Sequence, residues 1–179
     1  MKRSGFKNKP RKPLKRTPLK RKSPNKRKKQ TKVGLWREYG LEMPPKPRYT
    51  GRKGIYWYLL SLYTRKRDFE QFGRCISCGK KVDSYQDFDA GHYAPAGNCG
   101  FALLFLPLNV NGECKGCNAF DSGHLIGYEK NLTERYGDVA VDNLKQMYIH
   151  RHRNTTKEWT QIQYDTKIRE LQEELKKYE

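Results

Sequence analysis

From Gly54 onward apolar side chains recur at helical spacing. Ile55, Leu59, Leu62 and Phe69 fall close to one face, and Arg65, Lys66 and Arg67 form a basic band beside it. The pattern predicts a helix to about Phe72, stopped by Gly73. Residues 74–113 lose that period and predict turns and short strands: a knuckle at Cys75–Cys78, an extended piece near Tyr85–Asp89, and the apolar run Phe101–Leu108. A helix is expected to start around Cys114–Cys117 and continue through Tyr136. Gly137 stops it, and Asp138 can cap another helix to roughly His150. Thr155-Thr156-Lys157-Glu158 has capping-box spacing and predicts a last helix that runs to the end. Its seam of Ile168, Leu171, Leu175 and Tyr178 suits packing on its own domain or a dimer contact.

The N-terminal side has no such order. Residues 33–53, with the MPPKP stretch, read as an irregular linker ahead of a single domain over 54–179. Residues 1–32 hold 16 Lys and Arg and no acid, with proline at 10, 13, 18 and 24 and the near repeat KPLKR, TPLKR. Like charges repel, so this basic tail is expected to be disordered. Of the formal net charge of +19 it carries 16, leaving 22 basic against 19 acidic side chains in the rest. Such a field favours a polyanionic partner, with nucleic acid ahead of acidic membrane. Lys15, Arg16, Lys20, Arg21 and Lys22, with Arg65 and Arg67 from the helix's basic band, are candidate DNA contacts through counterion release. A solubilising arm or a nuclear-import signal would share their composition.

Composition narrows the class further. At 179 residues, 35% hydrophobic and 32% charged, the chain has one thin core, of the kind a metal often staples. No apolar run approaches the roughly 20 residues that span a bilayer. The N-terminus has charge but no apolar stretch of a secretory signal, so a cytoplasmic protein is expected. Four of the five cysteines form Cys75-x-x-Cys78 and Cys114-x-x-Cys117. Two such turns present four sulfurs for a structural, tetrahedral zinc, which suits a reducing compartment. Cys99 is left over.

Between the cysteine pairs lies Phe88-Asp89-Ala90-Gly91-His92-Tyr93, and Asn118 directly follows the second pair. A carboxylate and an amide oxygen are hard ligands suited to Mg²⁺ or Mn²⁺. A neutral imidazole nearby can take a proton from water. Asp89 and Asn118 as ligands and His92 as general base suffice for phosphodiester hydrolysis. The plainer assignment makes them a turn residue, a helix cap and a surface histidine.

These pieces resemble the phage NinG/Rap recombination proteins, from Arg67 to about Leu175. The matching motifs are RKRD before CISCG, the FDAGHY box, NVNGEC-KGCN, SGHLIGYEKNLTERYG and Glu158-Trp159-Thr160, with the tail's KPLKRTPLKR. A more distant likeness is to phage endonuclease VII and the HNH class. The resemblance implies an α+β fold with a zinc-braced ββα-metal (HNH-like, His-Me finger) core and flanking helices. It implies cleavage of branched DNA such as Holliday junctions, a phage or prophage origin, and a bacterial host cytoplasm. Cutting a junction symmetrically needs two sites, so a homodimer is expected, with recombination proteins as further partners. By the same likeness Asn109 braces the ββ turn, and Asp121 maps to an acidic position near the metal or is an ordinary helix residue. His124 stands where the family tends to have Asn, as a further ligand, a phosphate contact or an exposed histidine. His150-Arg151-His152-Arg153 is a helix-end basic cluster, matched to the dipole or to DNA phosphate. Two other functions share these features: a zinc-knuckle nucleic-acid-binding protein without catalysis, and an HNH nuclease acting on ordinary duplex.

Overall fold

The computed structural model describes residues 31–120, 124–153 and 156–178, with the side chains of Phe120 and His124 left aside. Lys15, Arg16, Lys20, Arg21 and Lys22, the disordered-tail expectation, Asp121, Thr155 and the His124 side chain therefore lie outside the described residues. Residues from Thr31 onward form one compact unit.

The long helix α2 spans Gly51–Gln71. Its buried face carries Ile55, Leu59 and Leu60, and Leu62 and Phe69 are half-buried at its margin. Helix α7, Gln161–Leu175, lies against it and buries Tyr164, Ile168, Leu171 and Leu175. Each aliphatic side chain so enclosed contributes about 1.5–3 kcal/mol. The predicted seam thus packs inside its own unit. Tyr178, in the single turn Lys176–Tyr178 that follows, meets Tyr63 edge-on, with ring centres 5.8 Å apart.

Two segments depart from expectation. The supposed linker opens with helix α1, Lys32–Glu38, capped by Thr31, whose hydroxyl accepts from the Gly34 N–H. Leu35 and Trp36 are buried there because α2 offers them an apolar wall, including the Tyr58 ring. Residues 40–50 then run back along α2 so closely that a Cβ at Gly54 would stand 2.1 Å from the Tyr49 carbonyl oxygen. At the other end the capping box is Thr160–Gln163, not Thr155–Glu158. Glu158 instead accepts from the Tyr164 hydroxyl and pairs with Lys53.

Between α2 and α7 in sequence sits a two-stranded antiparallel sheet. Strand β1, Phe88–His92, pairs with β2, Val110–Cys114, and Asp89 stands opposite Glu113, Gly91 opposite Asn111 and His92 opposite Val110. The connection is not extended over Phe101–Leu108 as expected. It folds as helix α3, Phe101–Leu104, and a 3₁₀ turn, Pro107–Asn109. Helices α4 (Lys115–Phe120), α5 (His124–Tyr136) and α6 (Asp138–Ile149) follow. Asp68 ties the layers together from a fully buried position. Its carboxylate accepts from the Gly112 N–H at 2.6 Å, Arg67 at 2.6 Å and Arg135 at 3.1 Å.

Candidate metal and nucleic-acid site

The first knuckle hangs from the end of α2. Cys75 N–H donates to the Lys80 carbonyl and Gly79 N–H to that of Cys75, and Gly79 takes the left-handed φ of 70° that the tight turn requires. Ile76 N–H reaches the Gly112 carbonyl and so joins the knuckle to β2. Cys114 ends β2, and Cys117 lies one turn into α4. All four sulfurs, of Cys75, Cys78, Cys114 and Cys117, fall within 4.8 Å of one another. The Cys114 N–H points at the Cys75 sulfur, 3.2 Å away.

The electrostatics suit a cation. Burial pushes the Cys75 thiol up to about 11. Burial, with the neighbouring Cys114 and Cys78 thiols, raises Cys117 as well. Cys78 is lowered: burial opposes this, but the Lys80 backbone N–H and the adjacent thiols outweigh it. Four crowded sulfurs cannot all ionise unaided, and a metal ion removes that penalty. The cluster can therefore hold an ion such as zinc, and Phe88, Val82 and Phe69 wrap it in a small apolar layer of its own.

Beyond the sulfurs, Asn118 on α4 donates from Nδ2 to Asp89 Oδ2 on β1 at 3.1 Å. A carboxylate and a side-chain amide from separate elements thus meet at one point. His92, the last residue of β1, faces elsewhere. Strand alternation puts it on the opposite side from Asp89, and no described hydrogen bond links it to Asp89 or Asn118. Its ring stacks on Trp57, with centres 5.1 Å apart and planes inclined by 19°. A carbonyl can only accept, so His92 Nε2, 3.0 Å from the Leu104 oxygen, carries the proton and Nδ1 keeps its lone pair. Burial, with a contribution from the charge on Arg48, lowers the imidazole to about 4.

Asn109 stands at the predicted brace and is completely buried. Its Oδ1 accepts from the Ala94 N–H at 2.7 Å, and its Nδ2 donates to the Ala94 and Leu103 carbonyls at 3.2 and 3.0 Å. It fastens both ends of the β1–β2 connection and, through Leu103–Leu104, the carbonyl that holds His92.

Arg67, expected to face DNA, is turned inward instead. It is only 6% exposed, and its guanidinium is committed to Asp68, the Val110 carbonyl and Asn111. Arg65 is half-buried, with Nε on the Ser61 carbonyl. Lys66 reaches the Tyr178 carbonyl. In the His150–Arg153 cluster, Arg151 donates to the Tyr148 carbonyl at the end of α6 and lies over that tyrosine's ring, as a helix-end cation does. Glu113 escaped sequence reasoning. It is fully buried beside Gly91, where an added Cβ would meet its Oε2 at 2.1 Å, and Ser77 donates to its other oxygen. No spacing motif flags it. Its place directly across from Asp89 emerges only from the strand register.

Fold and site together define a class: a helical α+β protein whose small hairpin hangs from a four-cysteine cluster able to hold a metal ion. Within that class the chain belongs to the NinG family, since the family model described as bacteriophage lambda NinG protein matches residues 5–177. It is 34% identical over 116 residues to the protein ninG of Salmonella phage P22, covering 64% of this chain and 54% of that one. It is 33% identical over 114 residues to that of Escherichia phage lambda, covering 63% and 53%. The matched span is thus about half the length of these relatives. No solved structure matches. No helix among the described residues is long and apolar enough to cross a membrane.

Proposed function

We propose that the chain is a metal-dependent endonuclease of the ββα-metal kind that cuts branched DNA such as recombination junctions. The contact between Asn118 and Asp89 carries this reading, because it joins a carboxylate on the hairpin to an amide on α4, beside the cysteine cluster. The donor set fits Mg²⁺ or Mn²⁺: hard oxygens, with Glu113 one strand across. When bound there, such an ion supplies charge stabilisation to the phosphate and the leaving oxygen.

The chain's own residues do the rest. Asp89 and Asn118 hold the ligand position, and Asn109 keeps the β1–β2 connection closed. His92, with Nε2 tied to Leu104, presents Nδ1 as the proton acceptor for an attacking water. Because Asp89 and His92 lie on opposite faces of β1, the reading requires a phosphodiester that crosses the end of that strand. The basic residues 1–32 add affinity without reading bases, which suits a target defined by shape. Symmetric junction cleavage would employ two copies of the chain.

A second reading, nucleic-acid binding without cleavage, is favoured by that same separation of His92 from the Asp89–Asn118 pair. A labelled four-way junction and its separate linear arms, with and without Mg²⁺ or Mn²⁺, decide the matter. The nuclease reading expects metal-dependent nicking, faster on the junction, that His92→Ala abolishes while binding survives. Tight binding by the wild-type chain with no nicking under either metal establishes the second reading instead.

A further inference from the structure

Arg48 lies outside every motif in the sequence, in the segment that runs back along α2. Its guanidinium carbon sits 5.0 Å from the centre of the Trp57 ring and 5.7 Å from that of Tyr49. Trp57 in turn stacks on His92, so Arg48, Trp57 and His92 form one chain of ring contacts. The charge on Arg48 is felt at the imidazole. Yet Arg48 is exposed, and no described residue supplies it a carboxylate. Two cations of the adjoining first turns of α2 are spoken for, Arg52 by Asp165 and Lys53 by Glu158.

Arg48 also lines a groove of about 230 Å³ between residues 44–48 and α2, shared with Lys46, Pro47, Trp57, Tyr58 and Ser61. Lys46 is exposed and, like Arg48, has no described carboxylate partner. Arg65 follows Ser61 by one helical turn on the same face and is anchored on its carbonyl. The floor is apolar and aromatic, and the rim carries cations. That combination fits a sugar–phosphate backbone, with sugars on the floor and phosphates at the rim. A guanidinium that rests over an indole ring still has N–H groups to offer for the paired bonds a phosphate accepts.

We propose that Arg48, followed by Lys46 and Arg65, forms a phosphate-binding rail that leads a DNA strand past His92, with Arg48 gripping the phosphate nearest the imidazole. The proposal rests on the DNA-cleaving reading for the strand's destination, but its test needs no cleavage. Binding of the full, metal-loaded chain to a labelled four-way junction is measured across a salt series without added Mg²⁺ or Mn²⁺. Arg48→Gln, which keeps a side-chain stem against Trp57, is expected to lower the slope of log K against log salt by about 0.7–0.9, one phosphate's worth. Arg48→Lys is expected to keep that slope. A neutral methylphosphonate moved one phosphate at a time around the branch point should weaken the wild-type chain at one position and cost Arg48→Gln nothing further there. A melting temperature matching wild type certifies that the variant is folded, and Arg48→Ala read the same way replaces it if it is not. Unchanged slope, or losses that add at every methylphosphonate position, overturns the rail. If the slope falls while the wild-type chain never nicks, the rail stands and the nuclease reading fails. Nicking with an unchanged slope gives the reverse.

Discussion

Replacing Asn109 with alanine tests whether the hairpin connection is held by one side chain. Three hydrogen bonds disappear: from the Ala94 N–H and to the carbonyls of Ala94 and Leu103. At about 1 kcal/mol each they sum to about 3 kcal/mol. The Ala94 N–H, on a residue only 1% exposed, loses its partner where water cannot readily replace it, which adds roughly 1 kcal/mol more. A loss of about 4 kcal/mol lowers the melting temperature of a unit this size by roughly 8–16 °C. Circular dichroism melts of wild type and Asn109→Ala, each with its metal content measured, read this directly. Asn109→Asp separates the bonds: it can still accept from the Ala94 N–H but sets a carboxylate against two carbonyls, so it should melt low at pH 7 and partly recover in acid. Because the same brace positions Leu104, cleavage should fall further than DNA binding. A fall of under about 2 °C with metal content unchanged refutes the brace.

Two further outcomes follow from the site. Stripping the four-cysteine cluster with a strong chelator, or replacing Cys117 by serine, should release one metal ion per chain, counted with a colorimetric indicator, and lower the melting temperature sharply. No metal in freshly purified protein would contradict the assignment. The imidazole of His92, lowered to about 4, is neutral in the folded chain well below the ordinary 6.5. Cleavage should therefore stay level from pH 8 to pH 6, where an unperturbed histidine would lose most of its base form, and decline only as pH approaches 4. The folded state disfavours the protonated ring, so its stability contribution is complete above pH 6.5 and is lost as pH falls from there toward 4. A rate halved near pH 6.5 would refute the buried-imidazole account.

Long-period features were legible in the sequence, and local competitions were not. Helix α2 and the α7 seam rest on several apolar residues at one spacing, and the structure reproduces both. The cysteine pairs meet because each turn is defined by its own residues. Phe101–Leu108 misled because a short apolar run fits a strand or a buried helical turn equally well. Thr155–Glu158 and Thr160–Gln163 offer the same cap spacing. The second succeeds because Trp159 before it is seated among Tyr56, Phe101, Phe105 and Tyr164. Arg67 looked like part of a solvent-facing band, and a buried neighbour, Asp68, turned it inward. The segment before α2 looked like a linker because only tertiary contact gives Leu35 and Trp36 somewhere to go. Asp89 and Asn118 are legible from their place beside the cysteine pairs, and Asn109 from the family likeness. Glu113 and Arg48 come from register and stacking, which no local pattern encodes.

The bare backbone at Gly91 makes two distant positions into one unit of inheritance. Any side chain at 91 would displace the Glu113 carboxylate folded across it, and a shorter residue at 113 would leave a hole that only a larger residue at 91 could fill. Across related phage chains, these two sites should therefore change as a pair or not at all.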